Sequence, residues 1–134
     1  ESDVVSVNLY PLWYHDCPVQ RQIDMKLEEI RTHGGDNKPV IISEIGAGAI
    51  YGYHDPFGQA KWSEERQCAI LRQQIETVLA DPELSGVFLW QFADCRICDE
   101  WFTSRPRSYN NKGVVDEFRR PKMSYAVVKE LFQW

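Results

Sequence analysis

Nowhere in these 134 residues does a run of about 18 apolar side chains occur. That removes a membrane-spanning helix and any reason to expect a membrane partner. Internal repeats and low-complexity tracts are missing as well, so the chain is neither a repeat array nor a linker. The start, Glu1-Ser2-Asp3, has neither an initiator methionine nor the charged-then-apolar run of a secretory signal. The expectation is a stretch from the inside of a longer chain. Histidine is sparse and scattered, at 15, 33 and 54, and only one Cys-x-x-Cys exists, Cys95-Arg96-Ile97-Cys98. A zinc site would need a second pair at ligand spacing, so no metal is expected. A thioredoxin-like pair would open a helix early in a βαβ unit, whereas this one follows a strand late in the chain. With Cys17 and Cys68 the four cysteines make no disulfide framework for a chain of this size. They read as free thiols of a reducing compartment, which points to a cytoplasmic location.

Five Trp, six Tyr and six Phe, with 43% hydrophobic residues, supply a core for one soluble globular domain, and the length leaves no room for a second. The net charge of −5 is unevenly spread. Between Arg105 and Lys122 six cations (Arg105, Arg107, Lys112, Arg119, Arg120, Lys122) face only Asp116 and Glu117, a local +4 that leaves −9 elsewhere. By charge alone this segment is a solvated loop or a meeting point for a small anion. Nucleic acid is not an expected partner, because the remaining surface would repel phosphates.

Three short apolar runs, Val4-Val5-Ser6-Val7, Val40-Ile41-Ile42 and Val87-Phe88-Leu89-Trp90, lack alternation, the pattern of parallel strands covered on both faces. Between the first two, Val19, Ile23, Leu27 and Ile30 share one face of a helix that Gly34-Gly35 stops. Between the second and third, Cys68, Leu71, Ile75 and Val78 repeat the spacing, with Ser63 as N-cap, Glu64 and Glu65 in the first turn, and Asp81-Pro82 as the close. A long polar loop from Phe92 to Arg120 follows. Pro121 then opens a last helix with Tyr125, Val128 and Leu131 on one side. The order β-α-β-α-β-loop-α is an α/β fold with parallel crossovers. Three parallel strands leave both outer edges unpaired, so further strands are expected, from sequence outside this stretch or from copies of the chain.

Polar and aromatic residues cluster where the three strands end: Asn8 and Tyr10, Glu44, then Trp90, Gln91 and Asp94. In an α/β barrel that edge is the active-site face. Glu44 is the sharpest signal. It follows an apolar strand and precedes Ile45-Gly46, where a merely structural carboxylate would require a specific cation.

Ser6-Val7-Asn8-Leu9-Tyr10, Ile41-Ile42-Ser43-Glu44-Ile45-Gly46-Ala47, Leu89-Trp90-Gln91-Phe92-Ala93-Asp94, Asn110-Asn111-Lys112-Gly113 and Arg120-Pro121-Lys122 follow one another in order across nearly the whole chain. This series resembles the C-terminal part of the catalytic TIM barrel of glycoside hydrolase family 2, most closely its β-glucuronidase-like members. The resemblance implies a partial (β/α)8 barrel comprising the last three βα units. Glu44 would then be the nucleophile at the end of the seventh barrel strand of a retaining glycosidase. Such an enzyme sets two carboxyl groups about 5–5.5 Å apart. The family's general acid/base is the Glu of an Asn-Glu pair. No Asn-Glu dipeptide occurs here, and the family offers no precedent for Asp94 or Glu100 in that role.

The resemblance further implies that Asn8, Tyr10 and Tyr14 line the sugar site, a tyrosine hydroxyl holding the nucleophile, and that Trp90 forms a stacking floor. Asn110 and Lys112 match the Asn-x-Lys element that takes a uronate carboxylate, with Arg105 and Arg107 near a further arginine of the family. No cofactor is implied. Two departures bear on the sugar: Ile45-Gly46-Ala47-Gly48-Ala49-Ile50 lacks an acidic residue that some members carry, and the stretch from Cys95 to Arg107 is longer and more aromatic than in the simplest glucuronidases. A galacturonide therefore stays open beside a glucuronide. The expected function is a fragment of a retaining hydrolase of β-uronides that does not turn over alone. The alternatives are a self-associating partial barrel without catalysis, binding sugar at most weakly, and a small redox domain using Cys95 and Cys98.

Overall fold

The computed structural model describes residues 2–35, 37–58, 60–98 and 105–133. The chain divides into two compact units, Glu1–Gly46 with Gln73–Leu89, and Ala47–Arg72 with Trp90–Trp134.

In the first unit, β1 (Val5–Asn8), β2 (Val40–Ile45) and β3 (Leu84–Leu89) form a parallel sheet in the order β1-β2-β3. Helix α1 (Val19–Thr32) connects β1 to β2, and its stripe Val19, Ile23 and Leu27 is buried with Leu9, Val40, Ile42, Ile45 and Val78 in one apolar cluster. The helix stops where expected. Gly34 takes φ +78° and Gly35 donates its amide to the Ile30 carbonyl at 2.9 Å, a C-terminal turn that favours glycine. The absence of alternation in the three apolar runs holds only for the middle strand. Ser6 and Asn8 on β1 and Ser85 and Phe88 on β3 are exposed, because one face of each outer strand is uncovered among the described residues.

The second unit is built on the start of α2 (Glu64–Ala80) and on the stretch after β3. Ser63 caps α2 as its sequence position suggests, its hydroxyl accepting from the Arg66 amide at 3.2 Å. The segment read as a long polar loop contains two short strands, β4 (Cys95–Arg96) and β5 (Tyr109–Asn110), paired antiparallel. It also buries Asp94, Asn111, Lys112, Val114, Val115 and Asp116. Polar side chains can be buried when they satisfy backbone groups, and a hydropathy pattern does not register that. The last helix, α3 (Met123–Leu131), begins two residues after Pro121, which instead bridges Val115. Its buried residue is Ser124, whose hydroxyl donates to Gln67 Oε1 at 2.7 Å, while Tyr125 of the expected apolar side is 39% exposed. Among the described residues no helix is long and apolar enough to cross a membrane.

Ile42 is 1% exposed and Phe88 64%. Ile42→Ala is expected to cost about 3 kcal/mol and Phe88→Ala less than about 0.5 kcal/mol, read from urea denaturation midpoints. Equal shifts would contradict this placement of the core.

Candidate active site

The first unit gathers Asn8, Tyr10, Tyr14 and Glu44. The pairing of β1 with β2 runs Val7 opposite Ile42 and then Asn8 opposite Glu44, so Ser43 is an extra residue on β2. The same slip occurs against β3, where Ile42 faces Val87 and Ile45 faces Leu89. A bulge of this kind bends a strand and re-aims its side chains. Here the half-buried Glu44 accepts a hydrogen bond from the Tyr10 hydroxyl at 2.6 Å on Oε2, and its carbonyl accepts from the Leu9 amide at 2.8 Å. The Tyr14 ring meets Tyr10 edge-on, centroids 5.1 Å apart and planes at 61°. Asn8 is exposed, and its Oδ1 accepts from the Ser43 hydroxyl at 2.8 Å. The described side-chain partner of Glu44 is a phenol, which leaves the carboxylate an acceptor with a second oxygen to use.

The second unit holds Trp90, Asn110 and Lys112. Trp90 is 39% exposed, and its peptide bond to Gln91 is cis. Asn110 Oδ1 accepts from the Lys112 amide at 3.3 Å. Lys112 is 2% exposed, which ends the reading of this segment as a solvated loop. Its neighbours explain why. From the Asn111 carbonyl to the Val114 carbonyl every backbone donor and acceptor has a partner. Asn111 O accepts from the Ala49 amide at 2.9 Å, Lys112 O from the Gln91 amide at 3.1 Å, and Val114 O from the Lys122 amide at 3.0 Å. The Gly113 amide donates to Asp94 Oδ1 at 2.8 Å, Gly113 O accepts from Gln67 Nε2 at 3.1 Å, and the Val114 amide donates to Gln91 O at 3.1 Å.

Lys122 stands at the centre of this network. Its buried ammonium donates to Ala49 O at 2.6 Å, Asn111 O at 3.1 Å and Asp94 Oδ1 at 2.8 Å, which accounts for all three of its protons. Burial pulls the Lys122 ammonium below its ordinary pKa, against the bond and the charge of Asp94. Burial likewise pushes the Asp94 carboxyl up, against the bonds from Lys122 and Gly113. Asp94 at 3% exposure is thus an internal anchor rather than a group presented at a strand end, and Glu100 lies outside the described residues. Two other cations of the segment are exposed but paired with carboxylates of the same segment. Arg120 pairs with Asp116 at 2.5 Å and lies 4.3 Å from the Tyr51 ring centroid, and Arg107 pairs with Glu117.

Sequence reasoning missed Lys122 and Gln67 as site supports. A signal existed for Gln67: with Leu71, Gln74 and Val78 it falls on one fully buried stripe of α2, where a polar residue demands partners. Among the described residues no three His, Cys, Asp or Glu side chains form a group that could hold a metal ion. The four cysteines are free thiols, and the Cys95 sulfur lies 3.5 Å from Gln91 Nε2. Burial, with the charges of Glu64 and Glu65, pushes the Cys68 thiol up to about 11. Thiolate is the nucleophile, so iodoacetamide at pH 8 is expected to label the exposed Cys95 and Cys98 first and Cys68 last, read by peptide mass mapping. Cys68 labelled at their rate would contradict its surroundings.

Residues 1–134 match the pattern of the glycosyl hydrolases family 2 TIM barrel domain. The β-glucuronidase of Sus scrofa is 35% identical over 137 residues, covering 97% of this chain and 20% of that protein. A solved family 2 β-galacturonidase from Eisenbergiella tayi, bound to galacturonate, is 53% identical with a TM-score of 0.92, over 96% of this chain and 23% of that one. The β-glucuronidase of Bifidobacterium dentium, complexed with coumarin-3-O-glucuronide, is 29% identical with a TM-score of 0.77, over 96% and 20%. The chain spans about a fifth of the length of the curated relatives it matches.

Proposed function

The chain belongs to the glycosyl hydrolases family 2 TIM barrel domain, and from that premise we propose that it is the last three βα units of the catalytic barrel of a retaining β-uronidase. In this reading residues 1–134 are one portion of a longer catalytic domain, and the unpaired edges of β1 and β3 meet the remaining barrel strands. Glu44 is the nucleophile. The observation that carries the reading is the 2.6 Å bond from the Tyr10 hydroxyl to one Glu44 oxygen. A neutral donor orients the carboxylate without tying it to a cation, and leaves the other oxygen to attack.

The chemistry is a double displacement. Glu44 attacks the anomeric carbon as the bond to the leaving oxygen breaks, forming a glycosyl ester, while a second carboxyl protonates that oxygen. The second carboxyl is the acid/base this chain lacks. It then takes a proton from water, whose oxygen displaces Glu44. No cofactor enters. Asn8 and Tyr14 line the sugar site beside Glu44, and Trp90 offers a stacking surface for the C–H face of a pyranose. Asn110 and Lys112 take the substrate's carboxylate by a directional amide and a cation. Aryl or alkyl β-uronides are the substrate class. Greater identity to the β-galacturonidase, 53% against 35% for the Sus scrofa β-glucuronidase, favours a galacturonide over a glucuronide.

In the full-length enzyme carrying this chain, Glu44→Gln is expected to lower kcat on an aryl β-galacturonide by at least about a thousandfold. A 2-fluoro-galacturonide with a good leaving group is expected to leave its sugar on the peptide containing Glu44. Undiminished turnover, or label on another carboxylate, would overturn the assignment. Turnover by the 134-residue chain alone would overturn the missing acid/base.

A further inference from the structure

The backbone around Lys112 is tied down by buried charge, and the arrangement is more elaborate than packing alone requires. Taking a lysine and an aspartate out of water carries a desolvation penalty that an apolar pair of similar volume avoids, commonly with no loss of stability. An apolar pair could fill the space. It could not hold the Ala49 and Asn111 carbonyls through Lys122 Nζ while the same Asp94 oxygen takes the Gly113 amide at 2.8 Å. The two charged groups thereby grip the chain on either side of Lys112, at Asn111 and at Gly113. No slack remains at the second grip, since a Cβ on Gly113 would stand 2.3 Å from the Asp94 amide nitrogen and 2.5 Å from the Ala93 carbonyl carbon. Asn110 is fixed in turn, through the Lys112 amide and through β5 pairing with Cys95.

We propose that the buried Lys122–Asp94 pair is the positioning device of the carboxylate-binding element, setting where Asn110 and Lys112 stand and hence the affinity for the uronate group. Neither residue touches substrate; both act through the backbone of 111–113. The proposal rests on the reading of Asn110 and Lys112 given above, and the test separates the two.

Lys122→Met, Asp94→Asn and Lys112→Ala are made in the full-length enzyme and assayed on an aryl β-galacturonide. Lys122→Met and Asp94→Asn are each expected to raise KM about tenfold with kcat within about threefold, as a displaced binding group does. Combined with Lys112→Ala, Asp94→Asn is expected to add little further to KM, because both changes remove one interaction. Should Lys122→Met fail to fold, the isosteric Asp94→Asn carries the test by itself. A fall in kcat with KM unchanged is what a merely structural pair would give and overturns the proposal. Fully additive KM effects also overturn it. If Lys112→Ala raises KM while the other two variants do not, the positioning role falls and the reading of Lys112 stands. If Lys112→Ala leaves KM unchanged, the reading of the element itself is wrong.

Discussion

A lysine ammonium removed from water must find an acceptor for each of its three protons, and Lys122 meets that demand with two backbone carbonyls and a carboxylate. The second unit is arranged around this constraint. Asp94 is available because residues 91–94 run alongside 112–115, its own amide donating to the Val115 carbonyl at 3.0 Å. The Asn111 carbonyl is available because Ala49 approaches it as a second donor at 2.9 Å. Gln67 completes the set from α2, donating to the Ala47 and Gly113 carbonyls and accepting from Ser124 at the start of α3. Glu64, a turn earlier, accepts the Gly52 and Met123 amides, both at 2.6 Å. The segments of this unit are joined through polar groups as much as through apolar contact.

That is also why the two units differ in how far they can be read from the sequence. Periodicity identifies a surface that must leave water, and the first unit is built from such surfaces. The spacing of Val19, Ile23 and Leu27 locates α1, Gly34-Gly35 ends it, and the apolar runs mark three strands that do pair in parallel. The stretch from 92 to 120 reads as polar and therefore as loop. Among its described polar residues Asp94, Asn111, Lys112 and Asp116 are interior, and the side chains of Asp94, Asn111 and Asp116 are matched to backbone groups that only the folded chain brings together. Charge counting fails there for the same reason. Lys112 and Lys122 add to a local excess in sequence, yet both are withdrawn from solvent.

The candidate site divides along the same line. Glu44 could be singled out because a carboxylate at the end of an apolar strand is costly without a purpose, and the structure gives it a phenol at hydrogen-bond distance. Tyr10 could be named from its place after β1, though the bond to Glu44 depends on a slip in strand pairing that no local pattern announces. Asp94 shows the opposite outcome. Its position at a strand end looked like that of Glu44, but Lys122, 28 residues further on, turns it into an internal anchor.

The slip at Ser43 decides which side chains can be neighbours here. Side chains alternate between the two faces of a strand, so residues three positions apart would ordinarily lie on opposite faces. The extra residue lets Ile42 and Ile45 both enter the apolar cluster while Glu44, between them, meets the Tyr10 hydroxyl. One irregularity of the backbone thus keeps a hydrocarbon and an acid, adjacent in the chain, in opposite surroundings.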